Sequence, residues 1–148
     1  MKKLNVYLSG ATKYVDDSFQ NWRSDCIEIE MYGLGCSGIY TKLNFINPIA
    51  YFNYTHNKPK TEKQCINLFM WLVDKSDILL LNLDDSDKSI GTGMEIEHAF
   101  CRGIPIIAFG KNPDTWYNWA EERATVIFDD LEDAVMYIND YYAKSILN

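Results

Sequence analysis

Two runs of nearly consecutive apolar residues constrain the fold more than any other feature of this 148-residue chain. They cover residues 78–83 and 104–109, and each has the length of a strand rather than of a membrane span. Strands that are apolar on both faces belong in the middle of a sheet that is covered by helices on both sides. The chain is therefore expected to form an α/β domain around a central sheet.

Strand patterns alternate with helical patterns along the whole chain. The predicted strands are residues 4–8, 44–46, 78–83, 104–109 and 126–128. The predicted helices run from Asp16 or Asp17 to residue 32, from Thr61 to residue 75, over residues 94–102, and onward from Asp130. Five such alternations predict a parallel sheet in one domain, residues 1–148, without a linker or an internal repeat.

Composition excludes several classes of function. The net charge of −7 and the pI of about 4.7 disfavour binding to a nucleic acid polymer. No apolar run approaches the roughly 20 residues of a membrane span, and the N-terminus has no signal-peptide pattern, so we expect a cytoplasmic protein. The four cysteines and two histidines match no metal pattern. We expect no metal and no cofactor.

The segment 89–95, Ser-Ile-Gly-Thr-Gly-Met-Glu, follows the central apolar strand and precedes a helical pattern. Backbone N–H groups at such a strand-to-helix turn cradle anions. The carboxylate of Glu95, predicted in the first helical turn, suits a sugar that lies over the same turn, and the helix dipole there favours its ionised form. Together these features indicate a site for a nucleoside or nucleotide.

Strand order determines what faces this segment. If the order is 2-1-3-4-5, as in flavodoxin-like sheets, ligands bind where the first and third strands end. The residues that would meet there, with a tyrosine as a candidate to stack on a base, are Tyr7, Ser9, Gly10, Lys13, Asn82, Ser89, Gly91, Thr92 and Gly93.

Other phosphate-binding motifs fit poorly. The dinucleotide fingerprint fails because Ile96 stands where the third glycine is required. A flavin mononucleotide site is allowed by topology, but the loop after the first strand has only one glycine, Gly10. Glycosidic chemistry fits better. Cleavage of an N-glycosidic bond creates positive charge at C1′ of the sugar, and a carboxylate such as Glu95 stabilises or captures it.

Segments along the whole domain resemble the nucleoside 2-deoxyribosyltransferase superfamily, which includes the 2′-deoxynucleoside 5′-phosphate N-hydrolases. The similar segments are residues 6–10, 47–48, 76–83, 91–99 and 103–106. The resemblance implies a flavodoxin-like three-layer sandwich with a five-stranded parallel sheet and a covalent glycosyl intermediate on Glu95. It also implies a homo-oligomer whose sites are completed by a neighbouring subunit, and a small nucleoside or nucleotide as substrate.

The sequence departs from the family pattern at two positions. Ser89 stands where the transferases usually carry an aspartate that holds the 5′-hydroxyl; a serine there resembles the N-hydrolases, which bind a 5′-phosphate. Phe69 stands where members usually carry an aspartate that helps to protonate the leaving base. The first departure leaves nucleosides and 5′-monophosphates open as substrates, and transfer and hydrolysis open as reactions. The second makes a non-catalytic nucleotide-binding module the alternative. A flavodoxin-like electron carrier or partner-binding domain is the third reading.

Overall fold

A computed structural model describes residues 2–11, 22–34, 42–49 and 62–147 of the chain. The strands are β1 (Leu4–Ser9), β2 (Leu43–Ile46), β3 (Ile78–Asn82), β4 (Ile106–Phe109) and β5 (Val126–Phe128). The helices are α1 (Trp22–Leu34), α2 (Glu62–Asp74), α3 (Ile90–Cys101), α4 (Ala120–Arg123), α5 (Leu131–Tyr137) and α6 (Lys144–Leu147). The predicted helix starts at Asp16 or Asp17 and at Thr61 lie outside the described residues.

The five strands form one parallel sheet in the order β2-β1-β3-β4-β5. This confirms the predicted flavodoxin-like fold class. Strand β1 lies between β2 and β3, so that Leu4 pairs with Leu43 and Ser9 pairs with Leu81. The order of strands reverses between β1 and β3, and the ends of these two strands therefore border the crevice in which such sheets bind ligands.

Alternation along the strands divides the core into two clusters, one on each face of the sheet. One cluster packs against α1 and α5 and includes Val6, Leu8, Leu80, Ile107, Cys26 and Val135. The other packs against α2, α3 and α4 and includes Tyr7, Leu79, Leu81, Ala108, Val73 and Ile96. Because Tyr7 alternates with Val6 and Leu8, its ring points to the α3 side of the sheet.

The structure corrects two helix predictions. Helix α3 begins at Ile90 rather than at Met94, because Ser89 caps it four residues earlier than the apolar pattern indicated. The last predicted helix is capped by Asp130 as expected, but after Tyr137 it widens into a π-helical segment, Ile138–Ala143. Tyr141, within this segment, has an exposed side chain.

None of the helices in the described part of the chain is both long and apolar enough to cross a membrane.

Candidate functional site

A cleft lies where β1 and β3 end and α3 begins. Its polar wall contains Gly10, Ser89, Gly91, Thr92 and Glu95, all five of which were predicted as site residues. The strand register explains their meeting, since Ser9 at the end of β1 is level with Leu81 near the end of β3. The motif that follows β3 is thereby placed beside Ser9 and Gly10, as the assumed strand order predicted.

Glu95 is the buried carboxylate of this cleft, with 7% of its surface exposed. The Ser9 hydroxyl donates a hydrogen bond to Glu95 Oε1 at 3.0 Å, and the Tyr7 hydroxyl donates one to Glu95 Oε2. Both donors come from β1, whereas the carboxylate comes from α3. Two hydroxyls on a rigid strand thus hold both oxygens of the carboxylate in a fixed orientation.

The protonation of Glu95 depends on burial rather than on the helix dipole. The prediction that it lies in the first helical turn is wrong, because α3 starts at Ile90 and Glu95 is its sixth residue. The dipole acts mainly within the first turn. Burial raises the pKa of Glu95 from 4.5 to about 7, while the Tyr7 and Ser9 hydrogen bonds and the nearby Arg23 charge oppose that rise. The group therefore titrates near neutral pH.

Ser89 is the N-cap of α3. Its Oγ accepts hydrogen bonds from the backbone N–H of Thr92 at 3.2 Å and from Thr92 Oγ1 at 2.9 Å. The Ser89 hydroxyl therefore retains its own proton for donation to a ligand. The backbone N–H groups of Ile90 and Gly91 lie in the first turn, where an α-helix supplies no acceptor for them.

The two glycines of the motif occupy different surroundings. A Cβ atom at Gly93 would lie 3.2 Å from Cε2 of the Tyr117 ring, so this glycine allows the ring to pack on α3. A Cβ atom at Gly91 would meet nothing within 4 Å. Gly91 thus leaves open space in the cleft, and Gly93 serves packing on the other side of the helix.

Of the remaining predicted site residues, Tyr7 and Asn82 are buried and one lies outside the described residues. Tyr7, one of the aromatic candidates to stack on a base, is fully buried in the core, and its hydroxyl contacts Glu95. Asn82 is buried and its Oδ1 accepts from the N–H of Asp84 at 3.1 Å, which fixes the turn after β3. Lys13 lies outside the described residues.

The opposite wall of the cleft is apolar. It is built from the end of β2, from α2 and from one residue of α3, and consists of Pro48, Ile49, Ile66, Phe69, Met70 and Met94. Phe69 also packs against the core cluster that contains Tyr7 and Leu79. Phe69 therefore contributes to both the core and the cleft. The described lining of this wall contains no acidic group.

Sequence reasoning missed Arg23. Its guanidinium lines the same cleft, is 5% exposed, and donates from Nη2 to the carbonyl oxygen of Gly10 at 3.0 Å. Burial lowers the pKa of Arg23 to about 10, so the group stays charged at neutral pH. A signal was present: Arg23 lies three residues before Cys26 and seven before Glu30, on a stripe of α1 that is buried.

No protein-family model matches the sequence, and no curated protein matches it. The structure is similar to a 2-deoxyribosyltransferase from the psychrotolerant bacterium Bacillus psychrosaccharolyticus, with 13% identity and a TM-score of 0.65 over 88% of this chain and 90% of that chain. It is also similar to a conserved protein from Enterococcus faecalis V583, with 15% identity and a TM-score of 0.57 over 93% and 87% of the two chains.

A third similar structure is that of DNA processing protein A from Helicobacter pylori, a protein with a single-stranded DNA binding mode. The identity is 13% and the TM-score 0.61, over 95% of this chain and 82% of that chain. At such identities the three likenesses establish a shared fold. The expectation that this chain does not bind a nucleic acid polymer stays a prediction.

The cleft brings together a buried carboxylate, an apolar wall and a helix N-terminus. The carboxylate of Glu95, oriented by two hydroxyls, lines the same cleft as the apolar wall. The N-terminus of α3 lies about 9 Å from Glu95 along the helix axis. This distance follows from a rise of about 1.5 Å per residue over the six residues from Ser89 to Glu95. A carboxylate with a pKa near 7 is a better nucleophile when ionised than one of ordinary pKa, because it is less well solvated.

Proposed function

We propose that the protein cleaves the N-glycosidic bond of 2′-deoxynucleosides or their 5′-monophosphates through a covalent deoxyribosyl intermediate on Glu95. The observation that carries this proposal is the buried Glu95 carboxylate, held by the Tyr7 and Ser9 hydroxyls inside a cleft at the β1–β3 crevice. The fold shared with a 2-deoxyribosyltransferase supports it.

The reaction proceeds by two displacements at C1′ of the sugar. In the first, a Glu95 oxygen bonds to C1′ while the C1′–N bond breaks and its electron pair leaves with the base. The developing positive charge of the sugar is stabilised by the carboxylate below it. In the second, water or another base attacks C1′ while the C1′–O bond to Glu95 breaks, which regenerates the carboxylate, and the attacking group loses its proton to solvent. Water gives hydrolysis, and a second base gives transfer.

In this proposal each surface of the cleft contacts a different part of the substrate. The apolar wall of α2, with Phe69 and Met70, packs against the flat face of a base, and Glu95 lies under the sugar. The first turn of α3, with Ser89 and Gly91, receives the 5′ end of the substrate. Because no acid of the described lining faces the base, the departing base takes its proton from water. This makes the rate depend strongly on how well each base leaves.

Incubation of the protein with deoxynucleosides and with their 5′-monophosphates, with and without an acceptor base, tests the proposal by chromatography of the released base. Free base indicates hydrolysis, and exchange of bases indicates transfer. Measurable ligand binding without release from any substrate would contradict the proposal and support the non-catalytic binding module.

Glu95→Ala should lower the release rate by at least about 10³-fold, since removal of a nucleophile removes the covalent route. Glu122→Gln is the matched control, because it removes one exposed carboxylate away from the cleft. Equal rates for Glu95→Ala and the wild type would exclude Glu95 as the nucleophile.

A further inference from the structure

A buried arginine, Arg23, lines the same cleft as the carboxylate of Glu95. Burial of a charge is costly unless an opposite charge or several hydrogen bonds compensate for it. The Nη2 atom of Arg23 donates to the carbonyl oxygen of Gly10 at 3.0 Å, whereas Nε and Nη1 have no hydrogen-bond partner in the described part of the chain. One hydrogen bond to a neutral carbonyl does not balance the charge, so a further partner is needed.

The hydrogen bond from Arg23 reaches the turn that helps to orient Glu95. Gly10 follows Ser9 directly, and the Ser9 hydroxyl donates to Glu95 Oε1 at 3.0 Å. This turn is tightly packed, since a Cβ atom at Gly10 would lie 3.2 Å from Cζ2 of Trp22. Cζ of Arg23 lies 4.6 Å from the centroid of the Trp22 ring. Arg23 is thus held at the end of β1, beside one of the two hydrogen bonds that fix the carboxylate.

Glu95 is the acid that best compensates for the charge of Arg23. Burial lowers the pKa of Arg23, and attraction to Glu95 is the largest opposing cause, ahead of Tyr7 and Cys26. Burial raises the pKa of the Cys26 thiol to about 12, so this group stays neutral. Glu30, a buried acid on the same stripe of α1, lies about 10 Å further along the helix, at ~1.5 Å per residue, and accepts from the backbone of β2.

The hydrogen bonds from Tyr7 and Ser9 leave acceptor capacity on Glu95. An ionised carboxylate has about four lone-pair sites, and these two hydroxyls use one on each oxygen. Burial raises the pKa of Glu95 to about 7, and the two hydrogen bonds and the charge of Arg23 oppose that rise. Arg23 and Glu95 therefore each favour the charged form of the other.

We propose that Arg23 is a positioning residue for Glu95: it holds the turn after β1 through Gly10 and supplies the counter-charge of the ionised carboxylate. Because the nucleophile attacks C1′ in its ionised form, loss of this counter-charge leaves less of the reactive form at neutral pH. The part of Arg23 in the reaction rests on the function proposed above. Its effect on the ionisation of Glu95 requires no turnover and is measurable in the protein alone.

An NMR titration of protein labelled with ¹³C at the glutamate carboxyl carbons measures this effect, with the Glu95 signal assigned by its loss in Glu95→Gln. We expect a midpoint near pH 7 in the wild type and a midpoint higher by roughly one pH unit or more in Arg23→Gln. Arg23→Lys keeps the charge without the fork geometry, so its midpoint should lie between these two. Arg102→Gln is the matched control, because it removes an exposed guanidinium at the C-cap of α3 and should leave the midpoint unchanged.

Thermal melts by circular dichroism establish which variants fold. Arg23→Met, which replaces the charge with a neutral side chain suited to burial, repeats the titration if Arg23→Gln does not fold. A wild-type midpoint in the folded neutral variants would overturn the proposal. An equal rise in Arg23→Lys and in the neutral variants would also overturn it, because the positive charge would then not be the cause.

The activity assay separates failure of this proposal from failure of the proposed function. The kcat/KM of Arg23→Gln should be roughly 5-fold lower at pH 7, as a midpoint raised by one pH unit requires, and should recover at pH 9. Release of base with an unchanged pH profile in Arg23→Gln would leave the proposed function standing and overturn the role of Arg23. A raised Glu95 midpoint without release of base from any substrate would uphold the action of Arg23 on Glu95 and contradict the proposed function.

Discussion

The two walls of the cleft differ in polarity: hydrogen bonds hold the side chains of one wall, whereas apolar side chains form the other. On the polar wall, Glu95 is fixed by hydroxyls from β1, and Ser89 caps the helix that carries Glu95. On the apolar wall, Phe69 and its neighbours make no polar contribution to the described lining. Burial is the largest cause of the raised pKa of Glu95, and the hydrogen bonds from Tyr7 and Ser9 oppose it, whereas the apolar wall offers the carboxylate no polar partner among the described residues.

The strongest test of this contrast concerns stability. The pKa of Glu95 rises from 4.5 to about 7 on folding, so the folded state holds an extra proton between these values and loses stability as the pH rises through them. Well above pH 7 the charged form should cost roughly 3 kcal/mol. Glu95→Gln should therefore raise the free energy of unfolding by about that amount at pH 8.5 and change it little at pH 4.

Urea denaturation at the two pH values measures this difference. Glu122→Gln, which removes an exposed carboxylate, should show no such dependence on pH. If Glu95→Gln changed the free energy of unfolding equally at both pH values, burial would not penalise the charged form of Glu95. That result would contradict the raised pKa of this carboxylate.

The second effect concerns activity and pH. If ionised Glu95 is the nucleophile, kcat/KM should rise with pH through about 7. Tyr7→Phe removes a hydrogen bond that lowers the pKa of Glu95, so the midpoint should move upward and kcat/KM at pH 7 should fall about 10-fold. Part of this loss should return at pH 9.

The control for that measurement is Tyr117→Phe, which removes a similar hydrogen bond to Glu97 on another side of α3. Its pH profile should match that of the wild type. A Tyr7→Phe loss that is the same at pH 7 and pH 9 would show that Tyr7 does not act through the ionisation of Glu95.

Much of the fold followed from local patterns, because the apolar runs of β3 and β4 and the alternation with helices admit few architectures. The position of Glu95 in the cleft also followed from its neighbours in sequence. The role of Arg23 in the cleft could not be predicted, because burial of a cation depends on how the elements pack. The contact between Tyr7 and Glu95 could not be predicted either, because these residues are 88 positions apart in the sequence. The start of α3 was missed because glycine is a poor helix former, and the Ser89 cap outweighed that propensity.

A third test adds an acidic side chain to the apolar wall and so makes the two walls more alike. Phe69→Asp places an acid on the apolar wall, where it should accelerate release of a poorly leaving base by about 10-fold, below the roughly 10²–10⁴-fold of a well-positioned general acid. Cleavage of 4-nitrophenyl 2-deoxyriboside, whose leaving group needs no proton, should not accelerate.

Phe69→Asn controls for size and polarity in the same assays and should accelerate neither reaction. Because Phe69 also packs against the core, thermal melts should accompany the rates. Equal acceleration of both substrates by Phe69→Asp would indicate a change of shape rather than proton donation.

The smallest effects distinguish the two glycines of α3. Gly93→Ala should destabilise the fold by about 1 kcal/mol, because its Cβ would press on the Tyr117 ring. Gly91→Ala has open space and should stabilise the helix by about 0.5–1 kcal/mol while it weakens substrate binding in the cleft. Thermal melts and KM values measure both, and equal effects of the two substitutions would contradict the assignment of Gly91 to the cleft.

The covalent intermediate on Glu95 is the central claim, and rapid quenching followed by intact-protein mass spectrometry tests it most directly. A 2′-fluoro substrate analogue should slow both steps through its electron-withdrawing substituent and allow the intermediate to accumulate. We predict that the protein gains the mass of one sugar, or of one sugar phosphate, and that peptide mapping places the adduct on Glu95. Turnover of the natural substrate without any adduct in the wild type, or an adduct that persists in Glu95→Ala, would contradict the account.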